Sequence, residues 1–142
     1  MRLWDYRLLQ VLPNKMLVSQ WRECIAIKRQ WEKGTLKHRL VSYVMSDGKL
    51  GKFRFHNYVT HICVEMKKRD INFKSKYYKE IADFCWDGKD FYWKRFYPEH
   101  NDRYLKQCYY NLQEKYDRGI ITQEEWDKIE KFVSEREVLT QW

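Results

Sequence analysis

Apolar residues recurring every three and four positions, with little Gly or Pro and almost no period-2 alternation, leave helices as the main way to bury a hydrophobic face. The run "FRFHNYVTHICVEM" shows this most plainly, with Phe55, Tyr58, Val59, Ile62, Cys63 and Met66 on one stripe. Leu17, Trp21, Cys24, Ile25 and Lys28 form another stripe after "LPN", where Asn14 is placed as an N-cap. Leu105, Cys108, Tyr109 and Leu112 mark a further helix behind the capping candidates Asn101 and Asp102, and Gly119 suits its end. Thr122 and Glu125 form a T-x-x-E capping box, opening a helix over about 122–138 that buries Trp126, Ile129 and Val133.

The stretch "YYKEIADFCWDGKDFYWKRFYPEH" interrupts this pattern. Its aromatics are interleaved with lysines and arginines, and Asp87–Gly88 signals a turn, so one short helix followed by a loop is expected. Long connections of this kind often carry ligand contacts. The expectation is an all-α fold: a compact single-domain helical bundle over residues 1–142, with one long aromatic-rich connection. A chain of 142 residues is long enough to bury a proper core as one domain.

Charge narrows the range of partners. The net charge of +8 and the sequence pI near 9.3 favour phosphate-rich or otherwise anionic partners. Aromatics make up 18% of the residues, and basic plus aromatic is the mixture that holds phosphates while stacking on bases. The same aromatics also serve as core filler in small helical proteins. No apolar run approaches the roughly 20 residues that a membrane helix needs, and no secretory segment opens the chain. Cys24, Cys63, Cys85 and Cys108 are far apart with no C-x-x-C pair, and read as core thiols in a reducing compartment. The expected setting is the cytoplasm (nucleoid-associated if bacterial), with no membrane partner.

Within the first stripe stands "LVSQWREC". At 100° per residue, Lys15, Arg22 and Arg29 share one flank, and Glu23 projects from the other shoulder of the apolar face. The basic flank can grip phosphates. A fixed carboxylate can stabilise positive charge at a sugar C1′ as a glycosidic bond breaks, or relay a proton. From spacing alone a solvated surface pair is the stronger reading. His56, His61 and His100 read first as structural or solvent-facing, with His100 the best candidate of the three for a phosphate contact or proton carrier. Lys67, Lys68 and Arg69 suit a helix C-terminus as well as they suit DNA. Trp86, Tyr92 and Trp93 could stack on an unpaired base or pack the connection onto the helices.

The opening "MRLWD", "WRE" at Trp21–Glu23, "EMKKRDINF" at Glu65–Phe73 and "FYPEH" at Phe96–His100 together resemble the pyrimidine-dimer DNA glycosylase family, the phage-type endonuclease V of ultraviolet repair. The similarity runs in order across roughly the first four-fifths of the chain. It implies a small all-α protein acting on double-stranded damaged DNA as a monomer, without metal or organic cofactor. It also implies that the α-amine at the chain start attacks the sugar C1′. An imine forms, the base is released, and β-elimination nicks the strand at the abasic site.

An α-amine loses its proton more readily than a lysine does, so more of it is free nucleophile near neutrality. The family's essential glutamate, in a Y-R-E context, matches Glu23. Its arginines beside the nucleophile and before the glutamate match Arg2 and Arg22. Three positions after the glutamate the family has an arginine, where this chain has Ala26; Arg29 lies on the Arg22 flank. The phage enzyme loses Met to expose a threonine. Here Arg2 follows, and Met is generally spared before so large a side chain, which makes the amine of Met1 the nucleophile. The resemblance thus implies Met1 and Glu23 as catalytic, with Arg2, Arg22, Arg29, Lys15, His100, Trp86 and Trp93 as DNA contacts. Two alternatives stay open: a non-enzymatic nucleic-acid-binding module on the same scaffold, and a helical adaptor whose basic surface meets an acidic protein.

Overall fold

The structure is a computed structural model that describes residues 1–86 and 96–136. It contains α1 (Asn14–Lys33), α2 (Lys49–Lys68), α3 (Ser75–Cys85), α4 (Asp102–Asp117) and α5 (Gln123–Glu135), with short 3-10 turns at Tyr6–Gln10 and Ser42–Met45. There is no strand among the described residues, and the all-α expectation holds. The aromatic-rich connection begins as the short helix α3. Its Asp87–Gly88 turn, Tyr92 and Trp93 lie outside the described residues, while the last helix, expected to run to about Val138, ends at Glu135 with Arg136 as its C-cap.

Helix α2 is the axis of the core. It packs against α1, α3 and both 3-10 turns, while α4 and α5 pair with each other. All six residues of its predicted stripe are buried, and Leu17, Trp21, Cys24 and Lys28 are buried from α1. Trp126 of α5 lies 5.2 Å from the ring of Tyr109 and stacks on Tyr116 at 5.3 Å, which joins the last two helices. Aromatic pairs at this separation add to the area they bury. All four cysteines are buried and free. Burial pushes the thiols of Cys63 and Cys85 up to about 12, so they pack as inert hydrophobes.

The helix ends follow the sequence signals with one correction. The Thr122 hydroxyl accepts from Glu125 N at 3.2 Å, and the Glu125 carboxylate accepts from Thr122 N at 2.9 Å. The Asn101 side chain accepts from Tyr104 N at 2.9 Å, and Gly119 takes φ 78° just beyond α4. Asn14, expected as an N-cap, is the first helical residue instead, with Pro13 in the cap position. Its side-chain oxygen accepts from Arg69 at 3.0 Å. Arg69 also donates to the carbonyls of Leu9 and Leu12 and pairs with Glu65 at 3.0 Å, so it ties the end of α2 to the start of α1.

The first turn of α2 runs against the Ser42–Met45 turn. A Cβ on Gly51 would meet the Val44 carbonyl oxygen at 2.6 Å, so only glycine fits. Tyr97 seals this junction, its hydroxyl donating to Gly51 O at 2.7 Å and Val44 O at 3.1 Å.

Candidate active site

The chain start is built into the protein. Leu3 and Asp5 are fully buried and Trp4 nearly so, while Met1 is 39% exposed. The segment lies in no sheet or helix, so its backbone groups need side-chain partners. Three helices supply them. From α1, the Gln20 side chain accepts from Trp4 N at 2.8 Å and donates to Arg2 O at 3.0 Å. From α2, the Tyr58 hydroxyl donates to Trp4 O at 2.7 Å. From α4 and the residues before it, Tyr104 donates to Leu3 O, and His100 Nδ1 accepts from Tyr6 N at 3.1 Å.

Glu23 joins this arrangement through Gln20. The two residues sit three apart on α1 and therefore on one face. Gln20 Nε2, the nitrogen that donates to Arg2 O, also donates to Glu23 Oε2 at 3.2 Å. Glu23 is half-buried and Arg22 is exposed beside it. Arg2 is half-buried, and its guanidinium opposes the upward effect of burial on the Tyr104 hydroxyl and the Cys108 thiol, the latter pushed up to about 11. The structure therefore links the backbone of Arg2, one residue on from the chain start, to Glu23 near the middle of α1, with Arg22 exposed beside Glu23 in sequence.

The remaining predicted contacts are placed elsewhere or otherwise engaged. Arg29 forms a two-pronged pair with Glu80 at 3.1 and 3.2 Å and lies over the Tyr77 ring at 5.5 Å. The pair lies at the surface, and Glu80 is shared with Lys28 at 3.3 Å. Lys15 donates to Ile120 O, which ties α1 to the connection before α5. Trp86, just beyond α3, is 57% exposed. Trp93 lies outside the described residues. Ala26 is half-buried on α1.

His100 corrects the expectation of a surface contact. It is 5% exposed and surrounded by the rings of Tyr6, Tyr43, Tyr58, Tyr97 and Tyr104 at 5.0 to 6.2 Å. Because the Tyr6 N–H donates to Nδ1, the proton of the neutral ring sits on Nε2 and is donated to the Tyr43 hydroxyl at 2.6 Å. Burial, helped by the charge of Arg7, pushes this imidazole down to about 3. A neutral core histidine is the result, with no face left for phosphate. Nearby, Arg7 grips buried Asp5 at 2.9 and 3.1 Å and reaches Asp102 at 2.7 Å, which clamps residue 5 to the start of α4. Burial pushes the Asp5 carboxyl up against the opposing pull of Arg7.

Sequence reasoning missed Gln20, Tyr58 and Tyr104 as site residues. Gln20 carried a usable signal: it falls three residues after Leu17 and four before Cys24, a polar side chain inside an apolar stripe. Tyr58 was legible only as core, because nothing in the sequence points its hydroxyl at Trp4.

Among the described residues, no group of three or more His, Cys, Asp or Glu is placed to hold a metal ion, and no helix is long and apolar enough to cross a membrane. The sequence pattern of one family, described as pyrimidine dimer DNA glycosylase, matches residues 1–79, more than half of the chain. Comparison with curated proteins and with solved structures gives no match.

Proposed function

The chain belongs to the pyrimidine dimer DNA glycosylase family, and from that premise we propose that it releases a damaged pyrimidine from duplex DNA and then cuts the strand at the exposed sugar. Membership implies base excision as the activity and DNA as the substrate. The α-amine of Met1 is the proposed nucleophile. Its nitrogen bonds to C1′ as the bond from C1′ to the base breaks, and the base leaves with that electron pair and takes up a proton. The nitrogen gives up a proton and the ring oxygen gains one as the sugar opens, leaving an imine between Met1 and C1′. Loss of a C2′ proton then expels the 3′ phosphate oxygen with its electron pair, which nicks the strand. Water hydrolyses the imine and returns the amine.

Glu23 is the proposed partner of that amine. Its carboxylate stabilises positive charge developing at C1′ and relays protons between nitrogen, sugar and base. Arg2 and Arg22 hold the flanking phosphates, and Trp86 stacks on an unpaired base. These steps need neither metal nor organic cofactor, and one protein molecule suffices.

One observation carries the reading: a single Gln20 nitrogen bonds both Arg2 O, one residue on from the amine, and Glu23 Oε2. Borohydride reduction in the presence of abasic or dimer-containing duplex tests it. A covalent protein–DNA product that disappears when the N-terminus is chemically blocked is the expected result. A product that survives blocking moves the nucleophile to a lysine. No product at all, with binding that weakens steeply with salt, leaves a nucleic-acid-binding module.

A further inference from the structure

Gln20 is 1% exposed, yet its carboxamide uses both donors and both acceptor positions. Nε2 donates to Arg2 O and Glu23 Oε2, while Oε1 accepts from Trp4 N at 2.8 Å and, at 3.1 Å, shares the one Tyr58 hydroxyl proton with Trp4 O. The orientation of the amide is not a free choice. Trp4 N can only donate and Arg2 O can only accept, so a flipped carboxamide would set like against like at both.

We infer that Gln20 is a positioning residue, whose carboxamide sets the distance between the terminal amine and the Glu23 carboxylate. This rests on the amine chemistry proposed above. Three of the four bonds anchor or support the segment that carries the amine, and the fourth reaches the carboxylate. One rigid planar group therefore measures the gap between the two reacting partners.

The choice of residue type matters. A lysine or arginine at this place could anchor Arg2 O but would form an ion pair with Glu23 and draw off its charge. A neutral amide orients the carboxylate through one of its roughly four lone-pair sites and leaves the negative charge available to the sugar. A glutamate would accept from Trp4 N and Tyr58 as Gln20 does, but would turn a lone pair toward Arg2 O and Glu23. Gln20→Glu thus separates the anchoring half of the group from the half that faces the carboxylate.

The experiment measures single-turnover borohydride trapping on an abasic-site duplex, together with equilibrium binding to that duplex. Gln20→Glu is expected to slow trapping about 100-fold, the scale of a misplacement near 1 Å, while the dissociation constant stays within about threefold. Gln20→Met removes all four bonds at nearly constant volume and carries the same expectation should Gln20→Glu fail to fold. Ile129→Ala, which loses stability through packing in α5, is expected to trap at the wild-type rate once corrected for the folded fraction. Trapping by Gln20→Glu at the wild-type rate, or an equal loss in Ile129→Ala, overturns the inference.

A stability cycle reads the same contact without activity: the loss caused by Gln20→Glu should shrink in the Glu23→Gln background, and strict additivity overturns the link. If the wild-type protein is never trapped, the amine chemistry has failed. The cycle then still decides whether Gln20 holds Glu23 to the chain start.

Discussion

The backbone oxygen of Arg2 and the carboxylate oxygen of Glu23 accept from the same Gln20 nitrogen, at 3.0 and 3.2 Å. A residue next to the chain start and one in the third turn of a long helix thus meet across a single amide. Charge alone does not bring them together, because the donor between them is neutral.

Removing the charge of Glu23 while keeping its shape tests the role proposed for it. In Glu23→Gln the new side-chain oxygen still accepts from Gln20, so unfolding stability should change by less than about 1 kcal/mol. Single-turnover strand cleavage should fall by roughly 10²–10⁴, the range of a positioned acid or base, with duplex affinity nearly unchanged. Denaturant titration, cleavage kinetics and binding on the same samples check all three.

Arginines on one helix flank need not contribute equally to DNA binding. Both are exposed, but Arg29 is also paired with Glu80 and lies over the Tyr77 ring. Arg22→Ala should reduce the slope of log K against log salt by about 0.9, the value for one released phosphate contact. Arg29→Ala should change that slope by much less, since its charge is already paired. Filter binding or anisotropy over a salt series separates the two.

The buried neutral state of His100 gives a pH dependence of stability with a definite sign. The ring is held down to about 3 in the folded protein, while an exposed histidine takes its proton near 6.5. Between those values the unfolded chain binds the extra proton, so stability rises with pH and is lost as pH falls from about 6.5 toward 3. The loss approaches roughly 4 kcal/mol by linkage. The raised Asp5 acts with the opposite sign, and His100→Asn leaves it in place. That variant should therefore show a flatter acid limb in urea unfolding between pH 6.5 and 4.

A methyl group at Gly51 has nowhere to go, because the carbonyls of Val44 and Ser46 stand in its path and both are backbone. Gly51→Ala should cost about 1–3 kcal/mol through overpacking, despite the better helix propensity of alanine. Its midpoint in urea, compared with wild type, reads this directly. A neutral or stabilising result would show that the turn at Ser42–Met45 moves aside.

Regular structure was largely legible and the cradle around the chain start was not. The α2 stripe, the Thr122–Glu125 box and the Asn101 cap depend on neighbours within a few residues, and each appears as the spacing predicts. Asn14 was misplaced by one position because a partner 55 residues away, Arg69, claims its side chain. His100 was misread for the same kind of reason. Its motif sits in a Pro-containing stretch that looks exposed, yet five tyrosines from distant elements close over it. The pairing of Glu23 with the chain start was expected only from resemblance, while the amide that links Glu23 to Arg2 O lies at a position where an apolar residue would have fitted the pattern equally well.

The opening residues take their holders from widely separated parts of the chain. Their holders come from α1, α2 and, some hundred residues later, His100 and Tyr104. Without residues 100–104 the chain start keeps three of these five bonds, those from Gln20 and Tyr58, and loses the two that hold Leu3 and Tyr6. An incomplete copy broken before residue 100 would carry the amine and the carboxylate but would lack part of the framework that keeps the amine still.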